Sequence, residues 1–275
     1  MKTTNRIIIV LAFMLFAIAP YSSAQDDSSA MPQYITVTTM HWNMDNEDFN
    51  MKEWIATEKE FMDKVTKKNE HIVGASFYTH RYTPDNRELI YVQVYSDWAA
   101  IDKANDRNAE LSKEAWPDEK ARNAFFEKQA SYYGDFHSDE IYATMSGAKN
   151  PTEALGDDMI LYVRKSHFAY PDDGSGKEFN DLRMEFTNNV IHKNELIKGY
   201  WPNGHAWGAD RTEFVEAFLV NSMADLDNMF EKQGELVQAH WADEEKRKEM
   251  NKNLGKYFTG VHGDYIYSMV GELVK

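Results

Sequence analysis

Lys68-Asn69-Glu70-His71-Ile72-Val73-Gly74 and Lys193-Asn194-Glu195-Leu196-Ile197-Lys198-Gly199 are one stretch met twice, 125 residues apart. Sliding the chain by that offset superposes residues 52–142 on 177–267 without a gap. About 26 of roughly 90 pairs are identical, against about one in sixteen expected by chance. Glu60-Phe61 recurs as Glu185-Phe186, Glu110-Leu111 as Glu235-Leu236, Trp116 as Trp241, and His137, Asp139, Ile141, Tyr142 as His262, Asp264, Ile266, Tyr267. Upstream the offset becomes 126 and pairs His41-Trp42 with His167-Phe168. The chain therefore reads as a tandem duplication, with a first repeat over 34–148, a linker over 149–158 and a second repeat over 159–275.

Within each copy the hydrophobic period switches in a fixed order. In the first copy, residues 34–42 are rich in β-branched side chains and predict a strand. Residues 48–69 place Phe49, Trp54, Phe61, Met62 and Val65 at near-helical spacing. Strands follow over 72–82 and 88–95, joined by the turn Thr83-Pro84-Asp85-Asn86-Arg87. Ser96 is a candidate cap for a helix over 98–115; Trp116-Pro117-Asp118 breaks it, and a further helical piece runs to about residue 133 before a last strand over 140–145. The order βαββαβ predicts an α+β fold of two ferredoxin-like units. Their expected sheet order, 4-1-3-2, leaves strand 2 on an edge. Pro202, inside strand 2 of the second copy, fits an edge, because proline cannot donate to a central ladder.

The strand ending in Tyr91-Val92-Gln93-Val94-Tyr95, followed by Ser96-Asp97-Trp98-Ala99-Ala100 opening a helix, resembles the dimeric α/β-barrel superfamily, which includes the antibiotic-biosynthesis-monooxygenase-like proteins. The resemblance implies that the two units form an intramolecular pseudo-dimeric barrel. It also implies a choice among cofactor-independent oxygenase, haem-binding protein and binding module, because one fold hosts all three.

Lys2 and Arg6, an apolar run over 7–19 and Ser22-Ser23-Ala24 predict a signal peptide over 1–24 and a periplasmic or secreted protein; a polar leader over 25–33 follows. The apolar run is shorter than the roughly 20 residues a membrane span needs. The formal charge is −15, and −17 once Lys2 and Arg6 are removed, so phosphate backbones and anionic lipid surfaces are poor partners. With no cysteine, the chain has neither disulfides nor thiolate ligands, and its 43% hydrophobic content must supply the stability. The run from 243 to 249 alternates charge and reads as a solvated helix face.

Six of nine histidines fall in matched pairs: His41 with His167, His80 with His205, His137 with His262. In a 4-1-3-2 sheet all three of each copy sit at one end. Strands 1 and 4 are neighbours, so His41 is expected near His137, and His167 near His262. These four are the candidate catalytic residues, as general bases near neutrality. The alternatives are histidines bonded to strand and helix ends, or a metal or haem site on His41 and His137 with Asp45 or Asp139. His80, Tyr78 and Tyr82, with His205 and Trp207 in the second copy, mark the expected wall of a substrate pocket. The remaining tryptophans read as core.

These residues predict an exported barrel that binds a small apolar or aromatic molecule, with oxygenase-like chemistry needing no permanent cofactor as one outcome. A haem- or divalent-metal-binding protein and a non-catalytic interaction module are the alternatives. Assembly into a homo-oligomer is left open.

Overall fold

The computed structural model describes residues 34–153, 155–156 and 159–275. The expected signal peptide and leader lie outside the described residues. The first half runs β1 (Tyr34–Trp42), α1 (Met51–Lys64), β2 (Gly74–Tyr82), β3 (Glu88–Tyr95), α2 (Ala99–Ala115), α3 (Glu119–Ala130) and β4 (Tyr133–Thr144). The second half repeats that order as β5 (Ile160–Phe168), α4 (Gly176–Phe186), β6 (Gly199–Trp207), β7 (Glu213–Val220), α5 (Met223–His240), α6 (Glu244–Gly255) and β8 (Phe258–Val274). No helix among the described residues is long and apolar enough to cross a membrane.

The eight strands close into one antiparallel barrel in the order β1-β3-β2-β8-β5-β7-β6-β4. Within each half the expected neighbours are found, β4-β1-β3-β2 and β8-β5-β7-β6. The expected edges are not. β2 pairs with β8, setting Tyr78 opposite Met269, and β6 pairs with β4, setting Asn203 opposite Thr144. Pro202 thus lies in a strand paired on both sides. It is accommodated at the end of the β4 ladder, where its carbonyl accepts from the Met145 amide at 2.8 Å.

Matched residues of the two halves do matched work. Asn69 and Asn194 are fully buried where the first helix of each half ends, and their amides reach the carbonyls of Ala104 in α2 (2.8 Å) and Met229 in α5 (3.0 Å). Trp116 and Trp241 break the helix pairs; Arg122 donates to the Trp116 carbonyl and Arg247 to that of Trp241, satisfying groups a helix end leaves bare. Asn50 and Ser175 cap α1 and α4. The expected cap Ser96 is not used: Asp97 accepts from the Ala100 amide instead, and α2 starts at Ala99.

Because side chains alternate along a strand, each strand serves two cores. Outward residues pack under the helices, around Trp54, Met62, Phe77 and Leu89 in the first half and Tyr162, Ile197, Phe218 and Met229 in the second. Inward residues of both halves meet in a single cluster inside the barrel, including Tyr78, Ile90, Leu161 and Val215.

Candidate functional site

The barrel encloses a cavity of about 400 Å³. Its wall is built from inward positions at matching places in the two halves. Ile35, Val37 and Thr39 of β1 face Leu161, Val163 and Lys165 of β5, and Ile90, Val92 and Val94 of β3 face Val215, Ala217 and Leu219 of β7. Most of the lining is aliphatic. The third rung breaks the symmetry, with a lysine in the second half where the first has a threonine.

Lys165 anchors a polar cluster at that end. The Tyr142 hydroxyl lies 2.6 Å from Glu140 and 2.7 Å from Glu213, so one hydroxyl proton serves two carboxylates. The Lys165 ammonium lies 3.2 Å from Glu140, 3.6 Å from Glu213 and 3.3 Å from the Tyr142 oxygen. Burial disfavours the charge on Lys165, but Glu213 and Glu140 outweigh it and hold its pKa above the ordinary value. Burial, with the two carboxylates, pushes the Tyr142 phenol far up, so it stays protonated. The matching Tyr267 donates to Glu88 at 2.9 Å, without a lysine. At the other end the connection between the halves closes the lumen with Asn150, Pro151 and Leu155, and Trp201 donates to the Asn150 side chain at 3.0 Å.

Tyr78 lines this cavity, and so does Asn203 at its matched position. Tyr82 and Trp207 do not; they point to solvent, 64% and 68% exposed. His80 is held by the Thr83 hydroxyl at 2.8 Å. His205 stands opposite Tyr142 across β4 and β6, its Nε2 buried without a partner.

The expected approach of His41 to His137 is not formed. The register pairs His137 with Met40, and directly opposed residues share a face, so His41 takes the other face. His41 packs against Phe136 and reaches Asp85 at 3.4 Å, while His137 reaches Asp139 at 3.2 Å. The second half does the same. Ser166 opposes His262, His167 reaches Asp210 at 3.0 Å, and His262 reaches Asp264 at 3.2 Å. Asp45 takes no part in these pairs.

Two smaller cavities lie outside the barrel, each between one half's strands and helices. The first, about 230 Å³, contains Glu58, which is 3% exposed. Both its oxygens are satisfied, by Tyr133 at 2.7 Å and Gln129 at 2.9 Å, yet burial raises its pKa. A carboxyl with a raised folded pKa contributes stability that is complete below the unfolded value and lost as pH rises through the folded one. Glu58→Gln keeps both hydrogen bonds if Gln129 turns its amide. It is therefore expected to melt several degrees above the parent at pH 8, at about 2–4 °C per kcal/mol for a chain of this size. The gap should close toward pH 4. A variant that melts lower at both pH values would show that the ionised carboxylate is the stabilising form.

No family model matches the sequence, and no curated protein matches it. Solved structures do. The chain is similar to a provisionally assigned monooxygenase of Fusobacterium nucleatum, at 10% identity over 86% of this chain and 92% of that chain, with a TM-score of 0.57. A second provisionally assigned monooxygenase, from Lactobacillus acidophilus, matches at 8% identity over 88% and 95%, with a TM-score of 0.56. A mutant chlorite dismutase of Candidatus Nitrospira defluvii, in complex with cyanide, matches at 10% identity over 89% and 94%, with a TM-score of 0.52. The chain has the dimeric α/β-barrel fold, with all eight strands supplied by a single chain.

Proposed function

We propose that the protein binds a small apolar or aromatic molecule in the barrel lumen, with a polar group of that molecule set against Lys165 and Tyr142, which Glu140 and Glu213 hold from behind. The observation that carries this reading is the broken third rung: an apolar cavity ends in a charged cluster, built by β4, β5 and β7, that has no counterpart around the matched Tyr267. A largely apolar pocket with a few convergent polar groups is the usual form of a small-molecule site. In this reading the architecture is two ferredoxin-like units, products of a duplication, packed as a pseudo-dimer. If the protein is a cofactor-independent oxygenase-like enzyme, the polar groups that the lumen offers a ligand are Lys165 and Tyr142, with Glu140 and Glu213 bonded behind them. Haem or a divalent metal is the alternative reading. No histidine lines any of the three cavities, and no group of three or more His, Asp or Glu among the described residues is arranged to hold an ion.

Titration with N-phenyl-1-naphthylamine, a neutral apolar fluorophore, tests the reading. Saturable enhancement at one site per chain is expected. Ala217→Trp, which fills the lumen, should weaken it at least tenfold, and Val215→Phe serves if that variant does not fold. Trp207→Ala, on the exposed rim, should leave it unchanged. Binding indifferent to the filled lumen, or lost with Trp207, overturns the proposal.

A further inference from the structure

The outer cavity of the second half differs from that of the first in a way that packing does not explain. It measures about 210 Å³ and lies between the outward face of β5–β8 and the helices α4 to α6. The repeat places Arg183 where the first half has Glu58, Thr187 where it has Met62, and Glu216 where it has Tyr91. An acid has become a base at the same point of the same fold.

The two are not equally satisfied. Glu58 uses both oxygens. Arg183 is 4% exposed, and only its Nη2 is bonded, to the Ser146 hydroxyl at 2.9 Å and the Asn180 side chain at 3.1 Å. Its Nε and Nη1, three of the five N–H groups, are buried without a partner. Thr187, one turn on at the C-terminal cap of α4 and lining the same cavity, also has a buried hydroxyl without a partner. No carboxylate of the described residues lies within ion-pair distance of Arg183; Glu216, across the cavity, accepts instead from Tyr200 at 2.7 Å. A buried cation with open donors is costly unless an acceptor meets it. In a chain of formal charge −15 there is no general field to draw anions, so any affinity for one must be local.

We propose that this cavity is a second ligand site, separate from the lumen, which takes a one-ring aromatic carboxylate. Arg183 and Thr187 meet the carboxylate, and Phe214, Phe218, Phe230 and Phe258 form the wall for the ring. The charge-assisted bonds supply selectivity for the anion, and the small volume limits the ligand to a single ring. Burial keeps Glu216 toward its neutral form, which lessens its repulsion of an anion. The first half, with Glu58 already paired, should take no such ligand.

Calorimetric titration of the whole protein with benzoate, against benzyl alcohol as the uncharged match, tests this. One benzoate per chain is expected, at least tenfold tighter than the alcohol. Arg183→Met should abolish that preference while leaving N-phenyl-1-naphthylamine binding in the lumen unchanged, so failure here and failure of the lumen reading are told apart. If Arg183→Met does not fold, Thr187→Val should weaken benzoate several-fold, and benzoate but not benzyl alcohol should raise the Tm of the parent protein. Two equal benzoate sites, no preference over the alcohol, or binding unaltered by these substitutions would each overturn the proposal.

Discussion

Lys165→Met is expected to lower stability by about 2–3 kcal/mol at pH 7. Breaking a buried ion pair from one side costs about 3–5 kcal/mol. The side chains here are 12–28% exposed, which argues for a discount toward the surface value. Methionine retains the length and apolar stem of the lysine, so the loss reports the missing charge. Glu140 and Glu213 would then share the Tyr142 hydroxyl with no cation beside them. Adding Glu140→Gln and Glu213→Gln should recover most of the loss, because the three groups are coupled. Urea melts of the single and triple variants make the comparison; equal stability in both would mean that the cluster carries no net electrostatic term. The lysine's folded pKa is raised, so its contribution is complete below its unfolded value and is lost only as pH rises through the folded one. The parent should therefore show no loss from this source between pH 6 and 9.

Trp54→Ala is expected to cost more, about 3–5 kcal/mol, and to lower the Tm by about 10 °C or more. Trp54 is fully buried, edge-on to Trp42 at 5.0 Å and to Phe77 at 5.8 Å. Its indole donates to Tyr133 at 2.9 Å, and Tyr133 in turn donates to Glu58. The substitution therefore opens a cavity and also cuts a hydrogen-bond chain to a buried acid. Phe179 holds the matching place in the second half without such a chain, so Phe179→Ala should cost clearly less. Equal losses would show that the polar link adds nothing to the packing.

The strands of each half and their order are legible in the sequence, because period-two runs and a constant offset are local or self-referential signals. The same counting sets Tyr78 on the face that lines the lumen. What failed depended on pairing between distant strands. Pro202 suggested an edge, since nothing in either copy announces that β6 will meet β4. The meeting of His41 with His137 was inferred from strand ends alone, whereas the register, Met40 against His137, decides the face. β4 was expected from residue 140 and starts at Tyr133, because its polar first half, through Asp135 and His137, carries no apolar alternation. The Lys165 cluster was missed although a signal existed. Tyr142 and Glu213 match Tyr267 and Glu88, while Lys165 and Glu140 stand where the other copy has Thr39 and Tyr265, so the mismatches around an identical pair mark the tyrosine whose surroundings changed. The inverted pair Glu58 and Arg183 carries the same kind of signal.

Barrel closure across the halves has a kinetic side. The ladder of β2 with β8 joins residues about 190 positions apart, as with Tyr78 and Met269, and the Lys275 amide extends it by donating to the Ala75 carbonyl. Contacts of such long sequence separation are slow to form. Until they do, β2 and β4 present unpaired backbone, a template for mispairing with another chain. Each half of the molecule is thus the other's edge protection.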